Sequence, residues 1–428
     1  GMGQGWLSPM SLKLKSDDSP VDKMNKEELS FLVTYPLYAA FFIAPLLSYL
    51  GKRYGRKTTF LVCSVPNILS GVILVFAPSK LWLYIGRVVG SFRMSGIAIA
   101  EMYVSEITHE SIRGMFMSFC TVQINIGILV AYALGKSLNY VAFNTLYVIV
   151  PFMCFLLVLY IPESPHFLME RQRKDDAMKS MLWLKNGDQT VAELELQAIE
   201  RAGNNQNEKA SVKQIWNDKA SRSAMLIGVL SFSFQTLSGI HPVLNYAGII
   251  FEESSSFLSP DDSSIVTAVI LLVASIVNVM LIEGFGRKPL LYVSLIGSTI
   301  CLSVLSVFLF ALSNGVDVGN LGFVPVASIS SFVFMYGIGL AAVPNALTNE
   351  VSPTNIRPAM GGAASITSTL ILIAVLQSFP FLDEKIGLYF VFVIPVFTNI
   401  AGVFFTWFVV PETKGKTLAE ISEELRDR

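Results

Sequence analysis

Gly51-Lys52-Arg53-Tyr54-Gly55-Arg56-Lys57 is a strongly basic loop set between two charge-free windows, 29–51 and 58–79. Each window exceeds the roughly 20 apolar residues that carry a helix across a bilayer. A short basic loop between two such helices stays on the cytoplasmic side. The same pattern runs down the chain, with charge-free windows at 114–135, 137–161, 223–251, 263–282, 289–316, 318–349, 358–382 and 386–410. The stretch 81–104 is also apolar but carries Arg87, Arg93 and Glu101, and reads as one more span. Length therefore predicts about eleven complete spans. Parity from the first loop puts Arg113, the segment 162–222, Arg287-Lys288, Arg357 and the tail from Pro411 on that same side. The opposite side receives Glu252, Glu253, Asp261 and Asp262, with isolated Lys80, Lys136 and Lys385.

Composition agrees with this class. Of 428 residues, 53% are hydrophobic and 15% charged, whereas soluble domains carry about 25% charged residues. The 31 basic and 32 acidic side chains leave a net charge of −1, which removes the electrostatic footprint of nucleic-acid binding. Cys63, Cys120, Cys154 and Cys301 lie in apolar runs at unrelated spacings, so they read as packing residues. His109, His166 and His241 have no metal-ligand spacing. With no Gly-rich phosphate loop or nucleophile elbow, an enzyme, a bound cofactor and an ATP-driven pump within this chain are all disfavoured.

The short loops repeat. Gly55-Arg56-Lys57 returns as Gly286-Arg287-Lys288; Glu106 with Arg113 returns as Glu350 with Arg357 at identical spacing; Pro162-Glu163-Ser164 returns as Pro411-Glu412-Thr413. Three motifs in one order at offsets of roughly 230 to 250 residues mark a two-half duplication. Duplicated bundles of this kind hold a solute near the midplane and rock one half against the other. Carboxylates and guanidiniums at helix ends can then bridge neighbouring helices on a face only while that face is closed. This assigns gating pairs to Arg56, Glu106, Arg113, Glu163, Glu283, Arg287, Glu350, Arg357 and Glu412.

At these residues the chain resembles the sugar porter family of the major facilitator superfamily, most closely its facilitative glucose and insect-type trehalose transporters. Further marks are Gly86-Arg87, Tyr103 to Glu106 with Arg113-Gly114, Pro162-Glu163-Ser164-Pro165, Gln235 to Tyr246, Glu283 with Gly286-Arg287-Lys288, and Pro411-Glu412-Thr413-Lys414-Gly415. The resemblance implies an all-α integral membrane protein with the two-bundle major facilitator fold. Its twelve-helix plan leaves the first helix truncated here to an apolar remnant at 1–10. The expected divisions are an N-terminal bundle 1–161, a cytoplasmic helical linker 162–222, a C-terminal bundle 223–410 and a cytoplasmic tail 411–428. Ser164 with Pro165 should start a linker helix, Gly187 and Gly203 should stop two, and Thr417 with Glu420 should cap a tail helix burying Leu418, Ile421 and Leu425. The plasma membrane is the implied location, and the lipid bilayer and a small polar solute are the implied partners.

Sugars are held by side-chain amides, since each hydroxyl both donates and accepts, and by aromatic plates against the apolar face. The family's signature Gln-Gln-x-Ser-Gly-x-Asn stands here as Gln235-Thr236-Leu237-Ser238-Gly239-Ile240-His241. Thr121 and Leu271 occupy positions of family amides, with Asn278 two helical turns from Leu271. Asn345 and Ser368-Thr369 stand where tryptophan-bearing motifs are expected. The candidate solute contacts are thus Gln235, Thr236, His241, Asn245, Tyr246, Asn345, Thr121 and Ser368. Gly239 and Pro242 predict a broken helix over 223–251, with Tyr246 as a gate aromatic. Glu283 keeps the acidic residue expected before the basic loop of the second half, whereas Lys52 or Ser48 stands there in the first. Arg87 and Glu101 lie fourteen positions apart on one face of a continuous helix, which should point into the bundle. Arg87 matches an arginine that proton-coupled members pair with a first-helix carboxylate. The readings that follow are a facilitative carrier of a hexose, trehalose-like sugar or polyol, a carrier of another solute on the same fold, and a sugar receptor that does not transport.

Overall fold

The computed structural model describes residues 1–16, 19–108, 110–205, 218–254, 256–316, 321–352, 356–416 and 418–427, and the regular elements among them are helical. The first half contains α1 (Met2–Gly5), α2 (Leu7–Lys15), α3 (Lys26–Tyr54), α4 (Arg56–Val75), α5 (Lys80–Val89), α6 (Phe92–Ile107), α7 (Glu110–Ser137) and α8 (Tyr140–Tyr160). Three polar helices follow, α9 (Pro165–Glu170), α10 (Lys174–Leu184) and α11 (Gln189–Asn205). The second half comprises α12 (Lys219–Leu237), α13 (Ile240–Glu253), α14 (Pro260–Phe285), α15 (Arg287–Ser313), α16 (Val324–Ile338), α17 (Val343–Val351), α18 (Arg357–Lys385) and α19 (Leu388–Phe408). A tail helix, α20 (Leu418–Asp427), closes the chain. Among the described residues, 10 segments are long and apolar enough to cross a bilayer.

The eleventh predicted span is split. α5 and α6 meet at Gly90-Ser91, so Arg87 and Glu101 sit on separate helical segments, and the one-face spacing expected of them does not carry across the junction. Arg87 is buried, while Arg93 and Glu101 are half-buried. The Arg87 Nε donates to the Leu32 carbonyl at 3.0 Å, and its guanidinium carbon stands 4.8 Å from the centre of the Trp6 ring. Trp6 belongs to the apolar remnant, which is helical and continues to Lys15. Trp6, Leu7, Met10 and Leu14 are fully buried, and the Trp6 indole donates to Asn144 at 2.8 Å. Arg93 lies against Gly3, where any side chain would collide with its guanidinium.

In the second half the expected break is present at Gly239, whose φ of 98° suits glycine. A second irregularity follows at Tyr246 (φ −112°, ψ 18°). The span 324–351 is also interrupted, between α16 and α17, where a Cβ on Gly339 would come within 2.5 Å of the Leu290 carbonyl oxygen. In the linker, Ser164 accepts from the Phe167 amide and Pro165 opens α9, as its sequence predicts. Gly203 does not stop a helix: α11 runs through it to Asn205. A single glycine costs a helix only about 1 kcal/mol relative to alanine, too little to end one. The expected cap at Thr417 and the side chain of Leu418 fall outside the described residues, but α20 buries Ile421 and Leu425.

Candidate functional site

The Gly-Arg-Lys motifs build the same device twice. Gly55 (φ 104°) and Gly286 (φ 89°) turn the chain into α4 and α15. Each leaves room for a carboxylate from a distant segment: a Cβ on Gly55 would stand 2.1 Å from an oxygen of Glu163, and one on Gly286 would stand 2.9 Å from an oxygen of Glu412. Glu163 accepts from the amides of Arg56 at 2.8 Å and Lys57 at 3.0 Å. Glu412 does the same for Arg287 and Lys288, both at 3.1 Å. These carboxylates therefore satisfy the free N–H groups of a helix start, where a negative charge is favoured. Glu163 and Glu412 are helix anchors in this conformation, and neither bridges the two halves.

The arginine side chains complete the device. Arg56 grips Glu106 through Nε at 3.0 Å and Nη2 at 2.7 Å, and its Nη1 donates to the Gly51 carbonyl at 3.1 Å. The second Glu106 oxygen accepts from Ser164 Oγ at 2.5 Å. Arg287 grips Glu350 at 3.0 and 2.7 Å and reaches the Ile282 carbonyl at 3.0 Å, while Thr413 Oγ1 donates to Glu350 at 2.5 Å. Both networks are internal to one half, so they make each half rigid at this end without joining it to the other. The side chains of Arg113, Glu283 and Arg357, also assigned to gating pairs, fall outside the described residues.

The halves are joined toward the opposite end. Lys15 pairs with Glu252 at 2.9 Å, Lys136 with Asp262 at 2.5 Å, and Lys26 with both Glu253 and Asp383 at 2.5 Å. Tyr132 donates to the Leu244 carbonyl at 2.6 Å, and Ser8 Oγ accepts from the Gly248 amide at 3.1 Å. Lys80 and Lys136, read from sequence as isolated charges, are both paired, Lys80 with Glu28 at 2.7 Å. Their partners lie tens to more than a hundred residues away, beyond any local spacing rule.

The predicted solute contacts divide by what they touch. Thr121 and Asn345 are exposed; His241, Asn245, Gln235 and Ser368 are half-buried. Gln235 donates through Nε2 to the carbonyls of Leu340 at 2.8 Å and Ala341 at 3.1 Å, filling acceptors freed by the break between α16 and α17. Asn278, also buried, donates to the Ile338 carbonyl at 2.7 Å. Asn245 donates to the His241 carbonyl at 2.9 Å, whereas the His241 ring has no hydrogen-bond partner among the described residues. Thr236 is buried, and its hydroxyl donates back to the Phe232 carbonyl at 2.9 Å within the helix packing. Tyr246 is also buried: it stacks on Phe379 with centroids 4.2 Å apart and donates to the Leu376 carbonyl at 3.0 Å. Tyr246 thus packs α13 against α18. Sequence reading missed Lys26, Glu253 and Asp383 as a cluster, and the interruption at Gly339, whose Gly337-Ile338-Gly339 spacing was its only signal.

A duplicated helical bundle with this pair of networks can be compared with known proteins. The family profile described as sugar (and other) transporter matches residues 8–425, nearly the whole chain. The chain belongs to that family. It is 29% identical over its full length to the facilitated trehalose transporter Tret1 of Polypedilum vanderplanki, covering 85% of that protein. It is 30% identical to the Tret1 of Anopheles gambiae over 90% of this chain, and there it spans about half of the relative's length, 48%. The fold matches the inward-open xylose transporter XylE of E. coli with a TM-score of 0.80 at 23% identity, covering 99% of this chain and 96% of that one. The protein is thus a multi-pass transporter of the major facilitator fold, not an enzyme.

Within this family member, His241 and Thr236 should respond oppositely to substitution. His241→Asn exchanges a half-exposed, unpaired ring for an amide and should change the relative uptake of hexoses and disaccharides several-fold, in keeping with the discrimination one polar contact supplies. Thr236→Val, inside the packing, should leave the ranking unchanged. Competitive uptake across a sugar panel tests both, and equal rankings for His241→Asn and the parent protein would remove His241 from the solute path.

Proposed function

We propose that this protein carries a hexose, a trehalose-like disaccharide or a related polyol down its gradient by alternating access. In this reading it lies in the plasma membrane with the Arg56 and Arg287 networks on the cytoplasmic side. The observation that carries the reading is the asymmetry of the ionic contacts: those near Arg56 and Arg287 stay within each half, and those near Lys26 cross between halves. Two stiff units clamped at one end and, among the described residues, unjoined by such pairs at the other form one of the two states that alternating access requires. The basic loops support the sidedness, and the family and the trehalose-transporting relatives support a sugar as solute.

Movement without proton coupling is part of the proposal, and the relatives described as facilitated trehalose transporters support it. Arg87 contacts the Leu32 carbonyl, the Gly3 carbonyl at 3.5 Å and the Trp6 ring. A guanidinium does not titrate at physiological pH, so a carboxylate or histidine partner would have to carry any transported proton. Radiolabelled trehalose, glucose and a polyol series loaded against proteoliposomes of the full-length protein test the proposal. Counterflow of one of them, with a rate flat from mildly acidic to neutral pH, is the expected outcome. Binding without counterflow would support a receptor instead, and uptake that rises with an imposed proton gradient would overturn facilitation.

A further inference from the structure

A cavity of about 580 Å³ opens at the end of the first half nearest Arg56, between the helix ends and the linker. Lys57 and Thr58 of α4, Tyr160 of α8, and Arg173, Lys179 and Trp183 around α10 line it. Its charge is unbalanced toward the positive. The Glu163 carboxylate in its wall is taken up by backbone amides, and Asp176 serves Arg173 at 2.7 Å, with Lys179 only at 3.8 Å. Lys57 donates once, to the Leu159 carbonyl at 2.9 Å, out of the three donors an ammonium carries.

Two apolar stripes lead to this cavity from the bilayer side. On α4, the exposed Val62, Val65 and Leu69 follow Thr58 at helical spacing; on α8, the exposed Met153, Leu156 and Leu157 precede Tyr160 in the same way. Tyr160 is 81% exposed and Trp183 56%, amphipathic rings at the level where hydrocarbon gives way to headgroups. Lipid-facing walls, an aromatic rim and a basic pocket follow one another in the order in which a phospholipid presents its acyl chains, glycerol and phosphate.

We propose that this cavity binds the headgroup of an anionic phospholipid, whose phosphate bridges Lys57 on the bundle and Lys179 on the linker. The lipid fastens α10 to the ends of α4 and α8, above the Arg56 network. Lys288 repeats Lys57, donating to the Trp407 carbonyl at 3.1 Å, whereas the linker side chains Arg173, Lys179 and Trp183 line the cavity beside Lys57.

Each basic side chain near an anionic leaflet favours it about fivefold, so Lys57 and Lys179 together should give about a 25-fold preference. Native mass spectrometry of the full chain with dioleoyl phosphatidylglycerol and dioleoyl phosphatidylcholine in competition measures it. The expected result is retention of phosphatidylglycerol by the parent protein and by Lys288→Gln and Lys57→Arg/Lys179→Arg, with near parity for Lys57→Gln/Lys179→Gln. Parity in the parent protein overturns the proposal, as does an undiminished preference in Lys57→Gln/Lys179→Gln. Displacement of the bound lipid by millimolar inorganic phosphate would also overturn it, because the site would then read a soluble anion.

Discussion

Arg56→Met should destabilise the protein by about 3 to 5 kcal/mol, the range for stripping one partner from a buried ion pair. The side chain of Arg56 is only 3% exposed and that of Glu106 12%, and every polar group of the guanidinium has an acceptor. Removing the arginine leaves Glu106 charged, with Ser164 as its remaining side-chain donor. The duplicate provides the internal control. Arg287 and Glu350 repeat the Nε and Nη2 bonds at 3.0 and 2.7 Å, but their side chains are 18% and 29% exposed. Water can therefore solvate the stranded Glu350, and Arg287→Met should cost roughly half as much. Thermal unfolding in detergent compares the two, and a cycle with Glu106→Gln isolates the pair from the general effect of substitution. If both arginines cost the same, burial does not set the strength of these networks. The contrast also bears on mechanism, because a half that stays rigid at its Arg56 or Arg287 end can rock as a body.

Most of this architecture was legible from the loops. Charges in a membrane protein are confined to helix ends, so a motif such as Gly55-Arg56-Lys57 stands out against apolar background, and its recurrence at Gly286 exposes the duplication. The glycine, the arginine and the distant glutamate each have one geometric duty that their residue type permits and few others do. The solute path was less legible, for a reason specific to bilayers. A broken helix frees backbone carbonyls that cannot turn to water, so nearby amides fill them. Gln235 and Asn278 do this for the carbonyls of residues 338, 340 and 341. An amide in mid-membrane has the same appearance in sequence whether it holds a sugar or a backbone. Thr236 is ambiguous for a similar reason: one position along a helix turns a side chain by about 100°, which separates a cavity from a packed core.

Lys26→Met should shift the protein toward a conformation open at the Lys26 end. That lysine stands between two carboxylates of the opposite half, Glu253 and Asp383, at 2.5 Å from each, and the Asp383 side chain is 4% exposed. Without the ammonium, two like charges face each other where the halves meet, and separating the halves relieves them. The cost of stranding a buried carboxylate is about 3 to 5 kcal/mol. The 32% exposure of the Lys26 side chain admits water and lowers this to about 2 kcal/mol, a shift of roughly 30-fold in the ratio of the two states. Lys15 with Glu252 is more exposed and should contribute less. Distances between spin labels placed on the Lys26 end of each half should lengthen in Lys26→Met, and labels on the Arg56 and Arg287 ends should draw together. Lys26→Met/Glu253→Gln/Asp383→Asn removes the repulsion along with the attraction and should return the distances most of the way to those of the parent protein. Unchanged distances in Lys26→Met would mean that the contacts of Tyr132 with Leu244 and of Ser8 with Gly248, and not the ion pairs, hold that face shut. Because the same pairs must break in every transport cycle, the single substitution should also speed opening at the Lys26 end while slowing its closure.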